Sequence, residues 1–105
     1  MNNFQTILLA TATADALGVP VEFKPREDLQ QNPVTDMREF GTYKQPKGTW
    51  SDDTSLMLCL AESIVEGLDL QKLAQKFIAW RNDNYWTARG WVFDIGIGTR
   101  IAIER

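Results

Sequence analysis

No histidine occurs in the 105 residues, and cysteine occurs once, at Cys59. Without histidine, a Ser–His or Cys–His nucleophile pair and any imidazole-ligated zinc site are excluded. If the chain catalyses a reaction, carboxylates and oxygen-bound metals are the tools left to it. A single cysteine forbids an intramolecular disulfide, and Cys59, lying in an apolar helical stretch, reads as a small buried hydrophobe rather than a nucleophile. The chain also lacks a basic footprint. Eleven Lys and Arg stand against fourteen Asp and Glu, a net charge of −3, which gives no electrostatic basis for binding nucleic acid. No apolar run is expected to be long enough to span a membrane, and Met1-Asn2-Asn3 begins no signal peptide. A reduced, cytoplasmic setting is the expectation. Hydrophobic content of 44% and charged content of 24% fit one small globular domain over residues 1–105, with a modest core.

What is present is concentrated at Trp50-Ser51-Asp52-Asp53-Thr54, two adjacent carboxylates between hydroxyl residues. The apolar residues that follow, Leu56, Met57, Leu60, Ala61, Ile64, Val65 and Leu68, recur as one face of a helix. Ser51 is placed as its N-cap, with Asp52 and Asp53 in the first turn, where the helix dipole favours negative charge. A solvated cap accounts for one aspartate. On spacing alone the solvated cap is the commoner arrangement. It explains the neighbouring aspartate and the flanking hydroxyls less well, and these suit a hard divalent cation held by oxygens of Ser51, Asp52 and Asp53.

The periodicity predicts helices near residues 3–17, 52–66 and 70–82. Phe4, Ile7, Leu8 and Thr11 form the stripe of the first, which runs on to Asp15 and is ended by Gly18-Val19-Pro20. Asp15 either caps the turn at Gly18 or finds a polar partner or cation. From Lys24 to Lys47 there is no sustained period, so a long connection leads into the acidic motif, suited to an ordered loop over a cleft. Gly67 reads as a C-cap glycine and Asp69 as the next N-cap. Trp80, Trp86 and Trp91, with Tyr85, are core or helix-crossing residues, or a stacking surface for an adenine ring. Ile95, Ile97, Thr99, Ile101 and Ile103 alternate with small or polar residues, a strand pattern.

Taken in order, Asp15-Ala16-Leu17-Gly18-Val19-Pro20-Val21-Glu22-Phe23, Gly48-Thr49-Trp50-Ser51-Asp52-Asp53-Thr54, Leu60-Ala61-Glu62-Ser63-Ile64, Phe77-Ile78-Ala79-Trp80 and Phe93-Asp94-Ile95-Gly96 with Thr99 form a specific combination. It resembles, through essentially the whole chain, the N-terminal half of the ADP-ribosylglycohydrolase family, which includes the dinitrogenase-reductase-activating glycohydrolases. The resemblance implies an all-α domain, helical also from about Gly96 onward, and residues 1–105 as its N-terminal part. It also implies two Mg2+ ions in the complete site (Mn2+ as a substitute) and hydrolysis of the glycosidic bond joining ADP-ribose to a protein side chain or related acceptor. That chemistry suits a toolkit of carboxylates and metal, because the transition state carries positive charge on the sugar.

By the same resemblance, Ser51, Asp52 and Asp53 are metal ligands. Glu22 lies at the substrate ribose, where it helps to position the ribose or a metal-bound water, and Asp94 matches an aspartate at the catalytic centre, a candidate base. Both would therefore serve catalysis and substrate binding. The chain departs from the family in having Ala10 and Ala14 where glycines are usual and Ser51 where threonine is usual. Nothing after Asp94 provides the family's second acidic motif, Asp-x-Asp-Thr, so the chain is expected to need a C-terminal half for activity and to self-associate or pair with one. The alternatives are a non-catalytic module binding ADP-ribose or a modified protein, and an inactive remnant. The partner in the first two is an ADP-ribosylated protein or small conjugate.

Overall fold

The computed structural model describes residues 2–105. Among them there are five α-helices and no strand: α1 (Asn3–Gly18), α2 (Arg26–Gln31), α3 (Asp52–Val65), α4 (Leu70–Asp83) and α5 (Ile97–Glu104). The all-α expectation holds, and the three long helices fall where the periodicity put them. The chain divides into two compact units, one through Trp50 and one from Ser51 to Arg105.

In the first unit, α1 opens with a capping box. The Asn2 side chain accepts from the Gln5 N–H at 2.8 Å, and the Gln5 side chain accepts from the Asn2 N–H at 3.1 Å. The helix stops at Gly18, as predicted, and a short 3-10 turn, Val19–Val21, carries Pro20. A second 3-10 turn, Gly41–Tyr43, packs on the first. The approach is so close that a Cβ on Gly41 would lie 2.1 Å from the Pro20 carbonyl oxygen, and its φ is +53°. Only glycine meets both conditions. Thr42 Oγ1 donates to the Glu22 carbonyl at 2.5 Å, and Phe40 and Gln45 close the turn with paired backbone bonds. The Lys24–Lys47 stretch is thus more structured than its sequence suggested, holding α2 and this turn.

The stripe predicted on α1 is not fully buried: Phe4 and Ile7 are exposed and Leu8 and Thr11 half-buried, while the helix's one buried residue is Ala16. Together with the following turn, Asn3–Val21 is 19 residues long and, by length and composition alone, apolar enough to cross a membrane. The expectation that no such segment exists is therefore corrected. Packed helices and N-terminal signal sequences pass the same test.

In the second unit, α3 ends in the arrangement Gly67 announced. With Gly67 at φ +101°, its N–H bonds to the Ile64 carbonyl at 3.2 Å and Leu68 N–H to the Ser63 carbonyl at 2.7 Å, a Schellman motif. Asp69 then caps α4, its Oδ1 accepting from the N–H groups of Gln71 and Lys72. The face of α3 that is buried differs from the one expected. Ser55, Cys59 and Ser63, spaced by one helical turn each, are buried together with Thr54, whereas Leu60, Ile64, Val65 and Leu68 are exposed. The physical reason is size. Small residues along one row let α4 approach α3, the most extensive helix pairing among the described residues, with Cys59 Sγ donating to the Lys76 carbonyl at 3.8 Å. Trp80 of α4 supplies the bulk of this core at 1% exposure.

The final segment is α5, not the strand its alternating isoleucines suggest. It packs on α4, with Arg81 3.9 Å from Glu104. An isolated 2-residue period has no neighbouring strand to pair with here, and a free strand edge would leave its backbone groups unsatisfied.

Candidate functional site

Ser51 occupies the N-cap position of α3 in extended conformation, and Asp52 and Asp53 form its first turn, as the sequence predicted. The Ser51 side chain, however, makes no capping bond. That hydroxyl is not used in the way a cap would use it, although Ser51 is buried. Both aspartates sit at the positive end of the helix dipole, which offsets part of their mutual repulsion.

Both carboxylate oxygens of Asp52 accept a hydrogen bond, and each keeps a second lone pair. Its Oδ1 accepts from the Asp53 N–H at 3.1 Å, and its Oδ2 accepts from the Gly96 N–H at 3.2 Å. The second bond reaches across forty-four residues of sequence. It brings the Asp94-Ile95-Gly96 segment to the acidic turn, so two of the sequence-predicted elements meet in one unit. Asp94 is half-buried in the irregular stretch just before α5. Glu22 belongs to the first unit, half-buried at the end of the Val19–Val21 turn, where its backbone carbonyl takes the Thr42 hydroxyl.

The donor set suits a hard cation in kind: a hydroxyl and two carboxylates, all oxygen, contiguous at a helix start. It falls short in number. Among the described residues no three Asp, Glu or Cys side chains stand together as a metal cluster requires. An octahedral Mg2+ at this turn would need further oxygens from water or from additional protein.

Two contributors were not read from the sequence. Ser55, one turn beyond Asp52, is buried and donates through Oγ to the Trp86 carbonyl at 2.8 Å. The i, i+3 spacing from Asp52 was the available signal. Glu62, present in a motif but without a role, takes Lys76 Nζ at 2.5 Å and the Tyr85 hydroxyl on the same Oε1. The Lys76 and Tyr85 bonds, in that order, hold its carboxyl below the usual range, and the same bonds raise Lys76 and Tyr85. Tyr85 and Trp86 stack edge to face at 5.9 Å, as do Trp91 and Phe93 at 5.8 Å. Of the tryptophans in this aromatic group only Trp80 is a core residue, and Trp86 and Trp91 are exposed.

Comparison with known proteins identifies the relatives of the chain. Over 100 residues the chain is 39% identical to the ADP-ribosylarginine hydrolase Tri1 of Serratia proteamaculans (strain 568), covering 93% of this chain and 26% of the relative. The protein of the same name from Pseudomonas putida (strain GB-1) is 37% identical over 99 residues, covering 92% and 26%. An uncharacterized protein of Archaeoglobus fulgidus is 36% identical over 81 residues, covering 73% of this chain and 27% of its own length. The chain therefore spans about a quarter of the length of the curated relatives it matches. Residues 1–105 match the ADP-ribosylglycohydrolase family throughout, and the chain belongs to that family.

Proposed function

We propose that this chain supplies the acidic-turn part of a magnesium-dependent hydrolase that cleaves the bond between ADP-ribose and the guanidino nitrogen of a modified arginine. The observation that carries this reading is the Gly96 N–H bond to Asp52, which sets the Asp94 segment against the acidic turn of α3. The arginine acceptor is taken from the relatives' name. Ser51, Asp52 and Asp53 would hold the metal through hard oxygen donors. When bound, Mg2+ supplies positive charge that orients ribose hydroxyls and makes nearby water more acidic. Asp94 acts as the base, its carboxylate accepting the proton of the water that adds to the anomeric carbon. The C–N bond to arginine breaks as that addition proceeds, and the departing guanidine takes up the proton that Asp94 accepted from water, giving ADP-ribose and unmodified arginine. Glu22 positions the ribose. The further ligands and walls of the cleft come from the part of the family domain that the relatives carry beyond this match.

The test is release of ADP-ribose from an ADP-ribosylarginine protein. The 105-residue chain alone is expected to release little. Joined to the remaining portion of the Serratia relative, it should hydrolyse in a Mg2+-dependent way, and the Asp52→Asn, Asp53→Asn double variant should abolish that rate. Undiminished hydrolysis by the double variant would reduce the acidic turn to a helix cap. Tight binding of ADP-ribose with no turnover in the joined protein would instead establish a binding module.

A further inference from the structure

Asp52 and Ser55 stand one helical turn apart on a single face of α3, about 4.5 Å along its axis. Each bonds to one end of the same stretch: Ser55 Oγ to the Trp86 carbonyl at 2.8 Å, and Asp52 Oδ2 to the Gly96 N–H at 3.2 Å. Between those ends, residues 87–95 contain no helix or strand. A stretch of this length whose ends are drawn together is an Ω-loop. Trp86 itself is at φ +57°, a conformation a bulky residue adopts only when its surroundings impose it.

We propose that Asp52 and Ser55 are positioning residues that pin the 86–96 loop by both ends and thereby fix where Asp94 stands relative to the acidic turn. The consequence for catalysis rests on the hydrolase reading given above; the pin itself does not. Asp52 suits the task because both of its oxygens accept, one from Asp53 and one from Gly96. An asparagine has one accepting oxygen, so whichever way its amide turns, an NH2 group meets one of those two N–H donors. Ser55 acts differently, by donating, and an alanine there leaves the Trp86 end of the loop without that bond.

The test is amide hydrogen exchange followed by NMR on the full 105-residue chain, without metal or substrate. In Asp52→Ala, which removes both accepting oxygens, the Gly96 amide should exchange about tenfold faster or more, as expected for loss of a hydrogen bond to a charged acceptor. Its proton resonance should move upfield, while the amides of α4 keep their rates. In Ser55→Ala the Thr87 amide, which bonds to the Asn84 carbonyl, should gain most. Asp53→Asn should leave Gly96 unchanged. The proposal is overturned by a Gly96 amide indifferent to Asp52→Ala, by one that quickens only in step with α4, or by an equal response to Asp53→Asn. None of these readouts involves hydrolysis. A protected Gly96 amide in a joined protein that fails to hydrolyse would sink the function and leave the pin standing.

Discussion

At Gly41 a single missing atom decides whether two turns can meet. A Cβ there would lie 2.1 Å from the Pro20 carbonyl oxygen and 2.6 Å from its Cα, both backbone atoms that cannot swing aside. Gly41→Ala should therefore destabilise the first unit by about 1–3 kcal/mol, through clash and positive φ together. An unchanged urea midpoint would refute the close approach. Cys59 offers a second test at this scale. Burial, and after it the charge of Glu62, pushes its thiol from the ordinary 9.0 up to about 11. Alkylation of the folded chain should be very slow at pH 8 and should rise about tenfold per pH unit, because the thiolate is the reactive form. The sign for stability follows. The folded state holds the proton more tightly than the unfolded one, so this contribution is whole below pH 9 and is lost as pH rises through about 11. A rate that levels off near pH 9 would show that the thiol is not buried as described.

Between elements, the pair α3–α4 depends on Lys76 as well as on Trp80. Its ammonium lies 2.5 Å from Glu62 on α3 and 3.1 Å from Glu66, the C-cap of that helix, and 5.7 Å from the centre of the Tyr85 ring. Lys76→Met keeps the length of the stem but removes the charge, and should lower the urea midpoint at neutral pH. Because Lys76 holds Glu62 below the ordinary 4.5, that contribution is present above pH 4.5 and lost as pH falls through the lowered value. The difference between Lys76→Met and the parent should thus shrink in acid and in high salt. A difference independent of both would point to packing of the stem instead. Element boundaries were largely legible in the sequence, since Gly18-Val19-Pro20, Gly67 and Asp69 act through local backbone chemistry that needs no tertiary partner. Which face of α3 is buried was not legible. Hydrophobic periodicity identifies the stripe of Leu60 and Ile64, but the burial of Ser55, Cys59 and Ser63 depends on how closely α4 approaches. The Glu62–Lys76–Tyr85 cluster was hidden for the same reason, because it joins residues far apart in sequence.

At the scale of the molecule, the acidic turn and the Asp94 segment were readable because family motifs preserve their order along the chain, whereas the bonds from Asp52 and Ser55 to the loop ends required coordinates. Surface apolarity is the other property that emerges only here. Among the described residues Ala16, Val19, Cys59 and Trp80 are buried hydrophobic side chains, while Ile97 and Leu70 are each 73% exposed and Val65 is 81% exposed. On α5, Ile97 and Ile101 lie one turn apart on a single face, and on α3 so do Leu60 and Ile64. Exposed apolar stripes of this kind favour association with another apolar surface. The curated relatives extend the match about fourfold in length, so they have further chain with which such stripes could be covered. The 105-residue chain on its own should therefore bind a hydrophobic dye and sediment as larger species with rising concentration. Replacing Ile97 and Ile101 by lysine should weaken both effects without loss of helical content, because neither residue is part of the buried core. Joining the chain to the remaining portion of the Serratia relative should suppress dye binding further. A chain that stays monomeric at every concentration and binds no dye would mean that these stripes are tolerated in water as they stand, and that nothing is needed to cover them.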